Sequence, residues 1–475
     1  MRIETLTGDV VDRKSPLYPA ARLDFNRRFQ RCPRYVVFCA SVDDVRRAIL
    51  WSRERGLPLR PRSGRHSYEG YSILNGGVVI DVSPLRAVHL DAAGGCAEIG
   101  AGANLGQVYD GLWDQGRVTI PGGGCTGVGI AGLTLGGGFG FLARPYGLTC
   151  DSLLALELVD AGGRVLRVDA DRHPDLFWAC RGGGGDNFGI VTRFWFRVLP
   201  IDYVSVFSVS WAWSDIRRVF SAWQAWADPD RLDTRLTPIL LLPPESAGSV
   251  TLIGEFVGGA ARLQELLEPM LAAAAPTEVK TVYEPYIDAV HRFVGAPPQA
   301  EAPAAWPLRA EGPADPALDR FKNTSAFVFQ PFGRQAVDTM IDFLRRSPTP
   351  NTTLQFNLHG GVEAAVPPHA SAYPWRRARY SLQYQAYWAD PVQGPALIAW
   401  VRAFRRALSP WTRGAYVNYI DRDIQNWPRA YYDGNLSRLL RVKRRYDPDN
   451  VFDFPQGLGR VPEPLDPAGA PPAPS

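Results

Sequence analysis

Apolar residues along this chain follow two rhythms, and the change falls near residue 200. Before it, short elements alternate. Residues 33–41 (PRYVVFCAS) read as a strand, and 42–56 (VDDVRRAILWSRERG) space their apolar positions along one helical face ending at a glycine. Further strands are expected within 57–64, 78–91 and 96–102, a helix over 104–116 and a short strand at 117–120. Residues 153–169 read as a β-hairpin turning at Ala161-Gly162-Gly163, and 173–200 as helix, glycine loop and strand. After residue 200 the segments lengthen. Strands are expected at 204–213, 236–242, 250–258, 326–332, 352–361 and 379–388. Helices are expected around Trp223 and Trp226, over 261–275, over 334–346 and within 429–452. Residues 297–307 read as a linker or surface loop, and the proline-rich stretch after Gly459 as a disordered tail. The pattern predicts an α+β fold. Small α+β units joined by glycine-rich loops are followed by one antiparallel sheet with helices over one face.

Composition narrows this little but excludes much. A chain of 475 residues, 46% hydrophobic and 21% charged, suits two or three globular domains with ample core. A net charge of +4 with no Lys/Arg-rich block leaves no electrostatic footprint for nucleic acid or an acidic membrane. The charged N-terminus lacks the apolar core of a signal peptide, and no run of 18 apolar residues exists, so a cytoplasmic location without a membrane span is expected. Six cysteines without a CxxC pair argue against a zinc site and against a disulfide framework.

Glycine carries the strongest signal. Residues 121–152 (PGGGCTGVGIAGLTLGGGFGFLARPYGLTCDS) contain a literal GxGxxG at Gly127, Gly129 and Gly132, after a short strand. A dinucleotide fingerprint of that kind must open a helix. Here glycines continue at 136, 137, 138 and 140, each costing about 1 kcal/mol against alanine in a helix. The Rossmann reading is therefore rejected in favour of extended backbone with free N–H groups, suited to a pyrophosphate and a flat ring. A second cluster, 180–194 (CRGGGGDNFGIVTRF), and a third, 60–72 (RPRSGRHSYEGYS), share this character. Three such loops imply a large phosphate-bearing cofactor; tight turns in a glycine-rich protein are the bland alternative.

These three stretches, taken in order with YVNY (416–419) and YYDGNLSRLLRVKRRYDPDNVFDFPQGL (431–458), resemble the berberine bridge enzyme-like FAD-linked oxidases. That family lies within the vanillyl-alcohol oxidase / p-cresol methylhydroxylase (PCMH) superfamily. The resemblance covers residues 30–460 and implies a two-part PCMH-type FAD-binding domain over 1–200 and a substrate domain over 201–410. It further implies a C-terminal segment, 411–460, that returns to the FAD domain. By the same resemblance His66 bonds to the flavin 8α-methyl carbon and Cys125 to ring carbon 6, a bicovalent attachment for which imidazole and thiolate are suitable nucleophiles. Arg62, Ser63, Gly64, Arg65, Ser67 and Gly70 are assigned to the pyrophosphate, with Arg65 standing where relatives usually carry a glycine. Pro121, Gly122, Gly123, Gly127, Gly129, Gly132 and Gly136 are carried over from the long glycine loop. Asn187, Gly189, Ile190 and Val191 come from the second cluster, and Asn418 and Asn435 from the C-terminal motifs. Val128 matches a position where valine accompanies oxidases and leucine dehydrogenases.

The protein must also take a proton and hold a substrate. The resemblance makes Tyr419 the base. Were 416–419 a strand, Tyr416 and Tyr419 would face opposite ways, so one would face substrate and the other pack, unless a bulge or turn intervenes. Alternation places Gln355, Asn357 and His359 on one face of their strand, and Gln383 and Gln385 on one face of theirs, as candidate substrate contacts; a solvated sheet face is the alternative. The implied activity is oxidation of an alcohol of a sugar, glycoside or secondary metabolite, with O2 as acceptor and hydrogen peroxide as product. A dehydrogenase with another acceptor, or an inactive flavin-binding protein, are the alternatives. No partner beyond a small substrate and O2 is expected.

Overall fold

The computed structural model describes residues 6–91, 93–293 and 318–461. The linker expected at 297–307 and the tail from 462 lie outside the described residues.

Residues up to 200 build two larger sheets and a two-stranded pairing of Val118–Thr119 with Leu199–Pro200. In the first, Val10–Asp12, Tyr35–Phe38, Val78–Asp81 and Leu59–Arg62 lie side by side, the last three parallel. The helix Val42–Glu54 crosses between parallel strands and is capped by Ser41 and Asp44, each side chain bonding the other's backbone N–H. The second sheet is antiparallel: Val88–Asp91, Cys96–Gly100, Ile190–Arg197, Leu153–Val159 and Val165–Asp169. Its last two strands are the expected hairpin. One correction concerns the glycine loop. A six-residue helix, Ile130–Leu135, does open at Gly129, because only Gly132 falls inside it; Gly136 ends it, and Gly137 and Gly138 adopt left-handed φ of 118° and 79°.

The third sheet has seven antiparallel strands in the order Pro276–Pro285, Tyr203–Ala212, Ser249–Phe256, Leu236–Leu242, Thr352–Leu358, Tyr380–Trp388 and Arg320–Val328. Alternation sorts its faces as the sequence suggests. Leu354, Phe356, Leu382 and Tyr384 point to an outer core roofed by the helices Ile216–Trp226, Ala260–Ala273, Arg334–Arg345 and Gly394–Leu408. Gln355, Asn357, Gln383 and Gln385 point inward, toward the first 200 residues, and are buried there. The helix Gly394–Leu408, the edge strand Pro276–Pro285 and the helix Tyr286–Phe293 were not expected from the sequence pattern. No helix among the described residues is long and apolar enough to cross a membrane, and no cluster of metal-ligating side chains occurs among them.

One buried ammonium joins the parts. Lys322, on the edge strand Arg320–Val328, contacts Glu69 at 2.9 Å, Asp423 at 2.9 Å and Asp421. Glu69 also receives Arg28 at 2.9 Å and Arg422 at 2.6 Å. Burial works to lower the Lys322 pKa, but the carboxylates of Asp421 and Glu69 outweigh it and the net shift is upward. Removing this charge leaves buried carboxylates uncompensated. Lys322→Met is therefore expected to cost about 3–5 kcal/mol of stability, read by urea unfolding; a loss below about 1 kcal/mol, the range of exposed pairs, would mean the cluster is solvated.

Candidate active site and cofactor cavity

The strand Leu59–Arg62 ends beside its parallel neighbour so that Arg62 lies opposite Asp81. The buried Arg62 guanidinium bonds Asp81 at 2.6 Å through Nε and the Ala21 carbonyl at 2.7 Å through Nη2, while Nη1 has no partner among the described residues. The chain then turns against the glycine loop with no room for side chains. A Cβ on Gly64 would stand 2.1 Å from the Gly129 nitrogen, and one on Gly129 would stand 2.5 Å from the Gly64 nitrogen. Ser63 Oγ fixes the turn by donating to the Ala101 carbonyl at 2.8 Å. Arg65 follows with a left-handed φ of 65°, the backbone a glycine would adopt freely, and its guanidinium reaches Asp81 at 3.5 Å.

His66 stacks on Phe25, ring centroids 4.2 Å apart, with Gly127 against its Nε2. Burial lowers its pKa to about 4, so the imidazole is neutral and nucleophilic at neutral pH. Cys125 lines the same cavity, as do Val128, Gly129 and Gly132. Opposite stand Asn187, Gly189, Ile190 and Val191. The Asn187 side chain is committed to the loop: it donates to the Gly183 and Gly185 carbonyls and accepts from the Leu458 N–H. About 250 Å³ of the cavity is accessible to water.

Several assigned residues act from outside the cavity. Gly70, at φ 61°, closes a turn with Ser67 against Phe29. Pro121, Gly122 and Gly123 lie behind the loop; Tyr109 donates to the Gly123 carbonyl at 2.8 Å, and a Cβ on Gly122 would collide with the Tyr109 hydroxyl. Gly136 leaves space for Asn418, whose amide donates to the Leu133 carbonyl. Asn435 is remote: its amide serves the carbonyls of Pro368, Ser371 and Ala372.

The two tyrosines do not face opposite ways. Residues Val417–Tyr419 form one 3-10 turn, not a strand, which brings both rings into the cavity wall 5.0 Å apart and edge to face. The Tyr416 hydroxyl accepts from Gly138 N–H at 2.9 Å and Asn418 Nδ2 at 2.8 Å, so it ties this turn to the glycine loop. Tyr419 lies flat on Tyr68, 5.2 Å away and 1° from parallel. Tyr68 in turn accepts from Gln383 Nε2 at 2.7 Å. Gln385 donates to Gln383 and Gln355, each at 2.9 Å, and Gln355 donates to Asn357 at 2.8 Å. Gln383 and Gln385 line the cavity; Gln355 and Asn357 support them from behind. His359 is not among the lining residues. It is buried behind Phe139, with Nδ1 2.8 Å from Glu363.

Tyr68, Asn323, Tyr387 and Asp186 also line the cavity and were not singled out from the sequence. Tyr68 lies in the same loop as His66, two residues after it, and carries no glycine or charge signal of its own. Asp186 takes the left-handed φ of 63° in the second glycine loop. Burial raises its carboxyl to about 7, against the pull of Arg60 and with repulsion from Asp24. The cavity is thus polarised. Arg62, Arg65 and free backbone N–H groups form an anion-binding end, and aromatic rings with amides form a neutral end. The unpaired Arg62 Nη1 and the side-chain-free Gly64–Gly129 contact fit the diphosphate of a dinucleotide.

Comparison with known proteins agrees with this geometry. Residues 33–169 match the family model described as an FAD binding domain, and residues 415–459 the one described as berberine and berberine like. The chain is 40% identical to an uncharacterized FAD-linked oxidoreductase of Bacillus subtilis, YgaK, over 95% of this chain and 97% of the relative. The solved structure of Physcomitrella patens BBE-like 1 superposes with a TM-score of 0.87 at 30% identity, covering 96% of this chain and 98% of that one. Two variants of the grass pollen allergen Phl p 4 superpose with a TM-score of 0.82 at 26% identity, covering 94% of this chain and 96% of theirs. They differ by an isoleucine-to-valine change. The variant with the valine is described as a glucose oxidase and the one without it as a glucose dehydrogenase.

A neutral, half-buried imidazole has a consequence for pH. Between the ordinary value of 6.5 and about 4, unfolded chains protonate His66 while folded ones do not. Protein prepared without flavin should therefore keep the His66 contribution above pH 6.5 and lose it as pH falls toward 4. Urea melts across that window should show a shallower slope in His66→Gln; identical slopes would place His66 in solvent.

Proposed function

The chain belongs to the berberine bridge enzyme-like FAD-linked oxidoreductases, and from that footing we propose that it is an oxidase of a neutral alcohol that carries FAD on His66 and Cys125. The observation that carries this reading is a convergence. His66, Cys125, Val128 and Tyr419 come from three loops far apart in sequence, and all line one cavity. FAD, when bound, supplies the ring that accepts a hydride. Arg62, Arg65 and the N–H groups of the Gly64 and Gly129 loops hold its phosphates. His66 and Cys125 would make the covalent attachment, through a neutral imidazole and a thiolate.

The remaining residues handle the substrate. Tyr419 takes the hydroxyl proton as hydride leaves the adjacent carbon, and Tyr68, flat against it, fixes its plane. Gln385 gives both amide hydrogens to Gln355 and Gln383, so it meets a ligand with its carbonyl oxygen, an acceptor for a second hydroxyl. The neutral end of the cavity carries Asn323, Gln383, Gln385 and Tyr387, with no charged side chain among the described residues. This suits an alcohol of a sugar, glycoside or secondary metabolite and disfavours a carboxylate. Val128 supports dioxygen as acceptor, with hydrogen peroxide as product; the Phl p 4 variants show that valine accompanies oxidase behaviour in a protein of this fold.

Acid-denatured protein should keep its yellow colour, and peptide mapping should find flavin joining the His66 and Cys125 peptides. Flavin released into the acid supernatant would overturn the covalent attachment while leaving the family intact. The tyrosines separate by their partners. Tyr419→Phe should lower kcat by about 10²–10⁴ at nearly unchanged flavin content. Tyr416→Phe should instead cost about 1–3 kcal/mol of stability, because Gly138 N–H and Asn418 lose their acceptor. Reversed effects would exchange the two roles.

A further inference from the structure

The inward face of the seven-stranded sheet carries a polar row with no part in the chemistry above. Glu255 and Thr237 are direct cross-strand partners. The register that pairs Ile239 with Asn357, carried one step past the strand end, sets Thr237 opposite His359. All three side chains are buried. Each ends in an atom without a partner among the described residues: Glu255 Oε1, Thr237 Oγ1 and His359 Nε2.

Two small pockets open on this row. His359, Glu363 and Thr237 line one together with Gly124 and Phe139; Glu255 and Tyr286 line the other, again beside Gly124. Each holds about 20 Å³, room for a single water. Buried polar atoms left unbonded are costly, and water is the ligand that matches both the size and the mixed donor and acceptor lining.

The imidazole is arranged as a proton acceptor. Its Nδ1 lies 2.8 and 2.9 Å from the two Glu363 oxygens, which fixes the ring and leaves Nε2 toward the pocket. The left-handed Gly360 and Gly361, at φ 106° and 61°, turn the chain back to bring Glu363 there. Phe139 is the wall between this pocket and the main cavity: it lines both, 5.2 Å from the His359 ring and 5.9 Å from Tyr419.

We propose that Glu255, Thr237 and His359, bridged by ordered water in these two pockets, form an internal proton store beside the catalytic cavity. The proton rests on the Glu255 carboxyl and exchanges through water with His359 Nε2, each transfer leaving a carboxylate and an imidazolium that the return transfer neutralises; no bond to carbon and no electron is involved. Burial, with repulsion from Glu284, pushes the Glu255 carboxyl up to about 8, so it holds its proton at neutral pH. The charged groups around the row are engaged elsewhere. Glu284 is paired with Arg292 at 2.7 and 2.5 Å, Arg144 donates to backbone carbonyls including that of His359, and Arg376 is paired with Asp151. The Tyr286 hydroxyl accepts from Thr119 Oγ1 at 3.3 Å. The store depends on neither the flavin linkage nor the substrate, so its failure would leave that reading standing.

Infrared spectroscopy and high-resolution diffraction on the purified full chain test it. Ordered water is expected on His359 Nε2 and Glu255 Oε1, with the carbonyl stretch of a protonated carboxyl that Glu255→Gln removes. Thr237→Val keeps the shape but breaks the bridge. It should shift that stretch and empty the pocket at His359 while leaving kcat and KM unchanged. Dry pockets in the wild type, or a stretch unmoved by Thr237→Val, would each overturn the proposal. Should Glu255→Gln fail to fold, Thr237→Val carries the test alone.

Discussion

The architecture turns on a single buried ammonium. Lys322 draws together Glu69 from the loop after His66 and Asp421 and Asp423 from the segment after Tyr419, and it does so from the edge of the seven-stranded sheet. Its neighbours on the strand, Phe321 and Asn323, line the cavity, and Phe321 meets Tyr68 edge-on at 5.1 Å. Tyr68 precedes Glu69 and Tyr419 lies two residues before Asp421, so the ammonium pins the chain beside each member of the stacked pair. Asn26 repeats the stitch with backbone, bonding the Tyr68 and Phe321 carbonyls at 3.0 Å each. A compact group with three donors suits three carboxylates where a planar guanidinium would not. A buried ion cluster adds little net stability over an apolar replacement of the same volume. What it does is specific: any other docking of the three segments strands a charge in the interior.

Much of this was legible in the chain because alternation is a local property. The period of two in 352–358 and 380–388 already separated the residues of the outer core from Gln355, Asn357, Gln383 and Gln385. What alternation could not supply was the length of a face. His359 continues the polar set by parity, yet it lies past the strand end, where Gly360 and Gly361 fold the chain back and hand its imidazole to Glu363. The YVNY stretch fails in the opposite sense. Read as a strand it divides the tyrosines; a 3-10 turn returns the chain after three residues and joins them. That turn is held by the Gly138 N–H from 278 residues away, a contact outside any local window.

Motifs misplace residues for a related reason: a motif records co-occurrence, and its members serve different masters. Gly122 is a glycine because the Tyr109 hydroxyl occupies the space of its side chain, and Asn435 braces the loop at 368–372. Both belong to the same quoted stretches as Cys125 and the C-terminal tyrosines, and neither touches the cavity. Arg65 and Asp186 invert the pattern. Each holds a left-handed backbone in a glycine-rich loop, a conformation costing a non-glycine residue about 1–2 kcal/mol. Both line the cavity, so the strain is stored at the site itself.

That placement completes the division of the cavity. Among the described residues Arg62, Arg65 and Asp186 are its formally charged side chains, the first from the end of the strand Leu59–Arg62 and the other two from glycine-rich loops. At the other end the amides saturate one another in a directed chain, Gln385 to Gln383 to the Tyr68 hydroxyl, ending on the ring that lies flat against Tyr419. A charged ligand there would find dipoles already committed and no counter-ion, and its desolvation would go uncompensated. A neutral hydroxyl needs one acceptor and a base, which Gln385 and Tyr419 provide in the proposed reaction. The loops set where charge can sit, the sheet sets where it cannot, and Lys322 holds the two in register.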